Sequence, residues 1–205
     1  NMTSKIELEY VKQIYEYIAN EFNVTRAYKW SWISKFINSF PKGSLIYDIG
    51  CGSGRNMEYE DYNFIGFDNC VSFIKLCENK GLKAYYSEII DLKVRNNSAD
   101  AIICIATFHH LSTYDNRIKA LKELKRVVKP NGKIMISVWA KEQPKKTKIT
   151  FDNYGDNIVF WKKKYPRYYY IFELEEIKLL FNEVELNIDK EFYDCGNNVF
   201  ILSKN

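Results

Sequence analysis

The chain has 205 residues and a net charge of +4, and 46% of its residues are hydrophobic. That fits one domain with extensions and excludes a disordered chain. No apolar run approaches the roughly 20 residues of a membrane helix, and the polar N-terminal segment does not read as a secretory signal. The five cysteines form no C-x-x-C pair. An odd, unpaired set points to reduced thiols in a cytosolic or nuclear compartment, with neither a disulfide frame nor a metal site.

In chain order, Ile6, Tyr10, Ile14, Tyr17, Ile18 and Phe22 recur at spacings of three and four, which predicts an amphipathic helix over 6–22. A second helix is expected over Trp30–Phe40, stopped by Pro41 and Gly43. Leu45–Ile49 reads as a buried strand, followed by glycines and a helix near Asn56–Glu60. Asn63–Phe67, Lys83–Ser87 and Asp100–Ile105 read as strands, with a helix at Val71–Asn79 between the first two. A helix at Tyr114–Val128, a turn at Lys129–Gly132 and a strand at Lys133–Trp139 follow. Residues 141–166, rich in Lys, Asn and Asp, read as a surface loop, its core at 144–166. A helix at Glu173–Phe181 and strands near Val184–Phe192 and Asn198–Ser203 complete the chain. Alternating strands and helices call for an α/β architecture: a mainly parallel seven-stranded sheet covered on both faces, with an antiparallel terminal hairpin. The expected division is a helical extension over 1–43, contributing to the substrate site, and a main domain over 44–205.

The strand Leu45–Ile49 ends in Asp48-Ile-Gly-Cys-Gly-Ser-Gly54. Glycines where a strand turns into a helix let backbone approach a ligand. Dinucleotide sites want G-x-G-x-x-G, and Arg55 occupies the place of the third glycine. D-x-G-x-G-x-G instead resembles the S-adenosylmethionine loop of class I, Rossmann-like methyltransferases. That resemblance implies cofactor contacts at Asp48, Gly50, Cys51, Gly52 and Gly54. It also implies them at Asp68 and Asn69 after the second strand, Glu88 and Ile89 after the third, and Ile105 after the fourth. The product would be S-adenosylhomocysteine.

Further segments are more specific. Tyr10-Val-Lys-Gln-Ile-Tyr15, Thr25-Arg26, Ile105-Ala-Thr-Phe-His-His-Leu-Ser-Thr113, Trp139-Ala-Lys-Glu-Gln143 and Arg167-Tyr-Tyr169 resemble the eukaryotic tRNA wobble-uridine carboxymethyl methyltransferases. The resemblance runs over nearly the whole chain and is to the stand-alone form of that family. It implies methylation of the carboxylate of 5-carboxymethyluridine in the tRNA anticodon loop, as catalytic subunit with a small zinc-binding activator. It implies a clamp in which Arg26 or Arg167 holds the carboxylate or a phosphate and His109 or His110 contacts the uracil or carboxylate. Tyr28, Trp30, Trp139 and Tyr168 are the rings expected to stack on a flipped-out base. The sequence departs from the family pattern at Ala27, where many relatives carry Tyr. A small-molecule methyltransferase of the sterol or quinone kind, and a non-catalytic cofactor-binding scaffold, remain open alternatives.

Overall fold

The computed structural model describes residues 4–25 and 29–205. Arg26 and Tyr28, named above as site residues, lie outside the described residues. The N-terminal amphipathic stretch folds as α1 (Lys5–Glu7), a π-helical turn (Leu8–Lys12) and α2 (Gln13–Thr25) without a break. A shorter helix, α3 (Ser31–Asn38), stands where Trp30–Phe40 was expected.

The main sheet contains β1 (Leu45–Ile49), β2 (Asn63–Asp68), β3 (Ala84–Tyr86), β4 (Ala99–Ile105), β5 (Val128–Trp139), β8 (Asn187–Asp194) and β9 (Asn197–Ser203). Their order is β3-β2-β1-β4-β5-β9-β8. β1 to β5 pair in parallel, and β9 runs antiparallel to both β5 and β8, giving the expected terminal hairpin. Both sheet faces are covered, so the strands alternate between two apolar layers. On one face Ile102 and Cys104 of β4 pack under Leu121 and Leu124 of α5 (Tyr114–Val127) and Phe181 of α6 (Leu174–Glu183). On the other, Ala101, Ile103 and Ile105 pack against Trp32, Ile33, Phe36 and Ile37 of α3. The helix α4 (Val71–Asn79) buries Ile74 and Cys77 beside β3.

Three expectations give way. The helix near Asn56–Glu60 is a single 3-10 turn, Arg55–Met57. It ends because Tyr59 turns inward onto Phe64, ring centroids 5.9 Å apart, with its hydroxyl 2.8 Å from Ser34 Oγ. The turn at Lys129–Gly132 is an excursion within β5: Val128 pairs with Ala99, and pairing resumes at Ala101 and Lys133. The surface loop over 144–166 is shorter than expected. Its second half is β6 (Gly155–Trp161), which forms a separate antiparallel hairpin with β7 (Tyr165–Ile171). Along β6 half-buried residues alternate with exposed ones, the period of a strand with one face on protein.

Candidate active site

The strand order reverses between β1 and β4, so the loops leaving their C-terminal ends diverge and open a crevice there. A cavity of about 190 Å³ occupies that place. Its floor is the turn after β1. Gly50 has φ +76°, and a β-carbon there would overlap the side chain of Thr107, which follows β4. Gly52, at φ +54°, faces open space, which leaves its backbone approachable. Gly54, at φ +87°, does not reach the cavity; a β-carbon there would press on Leu82 at 2.5 Å. Its role is to let the loop lie on the α4 side of the domain.

Two acids anchor this floor. Asp68 accepts from Gly52 N–H and Cys70 N–H, both at 2.9 Å, and lines the cavity. Burial pushes its carboxyl up to about 6, with the two backbone donors opposing. Asp48 is 1% exposed and lies beneath the loop. Burial first, then the charge of Asp68, pushes it up to about 8, with Arg55 opposing, and its Oδ2 has no hydrogen-bond partner. An orphaned buried carboxylate oxygen is the feature expected of a group that meets a cation or water at a bound ligand. Glu88 lines the far end, held by Asn69 Nδ2 at 3.1 Å and Tyr86 hydroxyl at 3.2 Å. Ile89 and Ile90 beside it offer an apolar wall. Cys51 and Ile105 also line the cavity. A close glycine backbone, two buried acids and an apolar wall fit S-adenosylmethionine, with its ammonium, ribose and flat adenine.

The second half of the crevice is aromatic. Trp139, at the end of β5, stacks on Tyr169 of β7 at 4.3 Å and 12°, and both line the cavity. His110 also lines it, while His109 is fully buried behind Tyr169, 4.7 Å ring to ring. His109 Nδ1 accepts from Trp139 N–H at 2.9 Å, so the neutral ring carries its proton on Nε2, which has no partner. Burial, then neighbouring His110, holds His109 well below the ordinary histidine range. His110 Nδ1 is 2.9 Å from Tyr168 carbonyl and must donate to it. Its Nε2 is then the acceptor, 3.3 Å from Tyr15 hydroxyl.

Arg167 is 2% exposed. Its guanidinium donates to the hydroxyls of Tyr169 at 2.8 Å and Tyr15 at 3.5 Å, and Nε has no partner. Among the described residues no carboxylate pairs with it. The guanidinium also lies 5.8 Å from the Phe22 ring and 5.9 Å from the Trp139 ring, and a buried cation held by phenols and ring faces without an anion is costly.

Two expected stacking rings sit elsewhere. Trp30 packs on Trp32, 5.8 Å and 22°, against the α3 layer and not in the crevice. Tyr168 alternates to the opposite side of β7 from Arg167 and Tyr169, and its hydroxyl donates to Asp156 at 2.5 Å. Tyr169, its neighbour, takes the place at the crevice. The sequence reading placed a helical extension at the substrate site but did not name the acids that fasten it. Glu7, 8% exposed, accepts from Ser112 N–H at 2.8 Å and Asn116 Nδ2 at 3.2 Å. Glu16 accepts from the N–H groups of Val71 at 3.1 Å and Ser72 at 2.7 Å at the start of α4. The N-terminal helices therefore bridge two helix N-termini across the crevice, with Glu7, Val11, Tyr15 and Phe22 on its wall. Polar residues on an otherwise apolar helix face, such as Glu7 between Ile6 and Tyr10, were the available signal.

The described residues contain no helix long and apolar enough to cross a membrane. Residues 47–136 match the family model described as "Methyltransferase domain". A chain from the complex between the Haloferax volcanii Trm112 methyltransferase activator and a methyltransferase has a TM-score of 0.72 at 13% identity. That match covers 94% of this chain and 96% of the other, a likeness of fold. The tRNA (carboxymethyluridine(34)-5-O)-methyltransferase of Arabidopsis thaliana is 42% identical over 72% of this chain and 37% of its own length. That of Macaca fascicularis is 38% identical over 68% of this chain and 21% of its own. The chain thus spans about a third or less of these two curated relatives. The relative of the same name from Schizosaccharomyces pombe is 32% identical over 100% of both chains. With a match of that extent beside the cofactor crevice described above, the chain belongs to the tRNA (carboxymethyluridine(34)-5-O)-methyltransferase family, whose cofactor is S-adenosylmethionine.

Proposed function

We propose that this protein methylates the carboxylate of 5-carboxymethyluridine at the tRNA wobble position, giving the methyl ester. The observation that carries this reading is Arg167, a buried guanidinium without a carboxylate partner among the described residues, set beside the Trp139–Tyr169 stack. A planar base bearing an anion supplies what both features lack. When bound, S-adenosylmethionine supplies a sulfonium methyl group, which a carboxylate oxygen takes by in-line displacement as the sulfur–carbon bond breaks. A carboxylate with a pKa near ~4 is ionised at neutral pH, so no strong base is required.

The histidines agree with that requirement. His109 is held neutral by its burial behind Tyr169, so it adds no charge that would blunt the nucleophile. His110 has its Nε2 turned to Tyr15 and its Nδ1 tied to backbone, which suits positioning rather than proton abstraction. Arg167 fixes the anion, and Trp139 and Tyr169 fix the plane of the base. Arg26 and Tyr28, in the segment following α2, are proposed to complete the substrate side.

A zinc-binding activator is the proposed partner. Among the described residues β3 is a sheet edge, paired with β2 alone, and exposes Tyr85 at 56% and Tyr86 at 47%. Edges are ordinarily blunted by charge, and an added partner strand is a common cover. A protein of like fold from Haloferax volcanii was solved in complex with the Trm112 methyltransferase activator, which supports an activator as the partner.

The test is mass spectrometry of wobble nucleosides after incubation of carboxymethylated tRNA with S-adenosylmethionine and the activator. Wild type should give the methyl ester. Arg167→Met should lose it by about a hundredfold or more while keeping cofactor binding. Its melting temperature should stay within a few degrees, because removing an unpaired buried cation costs little. Methyl transfer to extracted lipids alone, or an Arg167→Met protein that methylates tRNA normally, would sink the assignment.

A further inference from the structure

Phe22 of α2 lines the crevice beside Tyr15, 5.4 Å ring to ring. From Phe22 a file of rings leads outward. Trp161, at the end of β6, meets Phe22 at 5.7 Å; Tyr165, opening β7, meets Trp161 at 5.9 Å; Tyr17 of α2 meets Tyr165 at 5.6 Å. Tyr17 is 76% exposed, an unusual place for a tyrosine on a helix whose other face clasps the domain.

The hairpin turn beside this file is Lys162-Lys163-Lys164. Lys162 and Lys163 both have positive φ, 52° and 56°. Glycine or asparagine ordinarily fills such positions, because a β-carbon there is strained. The turn carries lysines in spite of that strain. Lys162 Nζ lies 4.7 Å above the Trp161 ring and pairs with Glu21 at 2.7 Å; Lys164 Nζ lies 5.3 Å above Tyr165. Among the described residues no carboxylate pairs with Lys163 or Lys164. Aromatic faces in series beside cations are the chemistry of a single-stranded nucleic-acid track: bases stack on the rings and phosphates meet the charges.

We propose that Tyr17, Tyr165 and Trp161 form a stacking track for the unpaired nucleotides next to the substrate uridine, with Lys163 and Lys164 holding their phosphates. The track deepens the wobble-uridine reading and rests on it for the identity of the strand. It uses α2 and the β6–β7 hairpin, neither of which belongs to the main sheet, as the two banks of one channel leading to the crevice.

The experiment measures binding of a fluorescent anticodon stem-loop RNA by anisotropy across salt concentrations. Wild type is compared with Tyr17→Ala, Tyr165→Phe and the double variant Lys163→Ala, Lys164→Ala. Tyr17→Ala should weaken binding by about tenfold, the scale of one lost base stack. Tyr165→Phe should bind as wild type, since the ring is kept. The double variant should lower the slope of log affinity against log salt by about 1.4, two phosphate contacts to a single strand. Cofactor binding should be unchanged in all, and KM for RNA should rise with kcat retained. Unchanged RNA affinity in Tyr17→Ala and in the double variant would overturn the track, even if the ester product still forms. Loss of activator binding with RNA affinity intact would overturn it too, assigning the surface to a protein. Track-dependent RNA binding without ester formation would keep the track and remove the substrate reading.

Discussion

Asp48 is the residue whose chemistry ties the floor of the crevice to pH. Its carboxyl, pushed up to about 8 chiefly by burial, holds a proton near neutrality in the free protein. A cation bound against it favours the carboxylate, so uptake of the cofactor should release that proton. The sign follows: affinity is low where Asp48 stays protonated and rises as pH climbs toward about 8. Calorimetric titration at pH 7 in buffers of different ionisation enthalpy should show close to one proton released. Asp48→Asn should bind more weakly and lose the rise in affinity between pH 7 and 9, leaving only the titration of Asp68 near pH 6. A wild-type affinity that is flat from pH 6 to 9 would contradict this. At this scale the sequence was uneven. Gly50, Gly52, Asp68 and Glu88, which the resemblance to the methyltransferase loop implied, line the crevice because each follows a strand end, and Trp139, implied by the wider family resemblance, lines it too. Tyr168 and Tyr169 were not separable, because a one-residue difference in strand register exchanges the two faces. Trp30 misled because an aromatic ring serves a core and a binding site equally well, and here Trp32 claims it.

Among elements, the N-terminal helices carry an unusual duty. Glu16 caps α4 from a distance of 55 residues, supplying the side-chain acceptor that Cys70, at the N-cap position, does not. Glu16→Ala should cost about 1 kcal/mol, the scale of a lost N-cap. It should also speed proteolysis within residues 5–25 in the free protein, and cofactor should restore protection. Burial would raise the Glu16 carboxyl, yet bonds from Cys70, Ser72 and Val71 outweigh it and hold it below the ordinary glutamate value. That stabilisation is present above the unfolded pKa and is lost as pH falls through the lowered one. Chemical denaturation of wild type and Glu16→Ala at pH 7 and at pH 3 should show the difference shrinking in acid. Equal stability of the two proteins at pH 7 would remove the cap from the account. The helices themselves were readable from their apolar spacing. The β6–β7 hairpin was not, because its turn, Lys162-Lys163-Lys164, lacks the glycine or asparagine that marks a hairpin. The run Ile158-Val-Phe-Trp161 is the sequence signal of a strand there, and the alternation of half-buried and exposed residues along it appears only in the structure.

Across the whole molecule, the parallel sheet and the cofactor half of the crevice follow from element order and one glycine loop. The substrate half draws on segments distant in sequence: α2, the turn after β4, the end of β5 and β7. No local pattern announces their meeting; the β6–β7 sheet brings Tyr169 over His109 and His110 from 59 residues away in sequence. Gln143 helps hold that arrangement, donating to the carbonyls of Ala140 and Gly196 at 2.8 Å each and so tying the end of β5 to the β8–β9 turn.

Glu7 and Glu16, which clasp the helices over the crevice, sit on the same rod as Tyr17 and Phe22, which face outward and toward the hairpin. A rod that lifts to admit one ligand cannot at that moment present a finished surface to the other. Turnover should therefore be ordered, with the methyl donor loading before the RNA and its spent form leaving last. In steady-state kinetics, S-adenosylhomocysteine should compete with S-adenosylmethionine alone, and its inhibition should persist at saturating RNA. Random-order patterns would mean that the rod stays shut and that small molecules enter by another door.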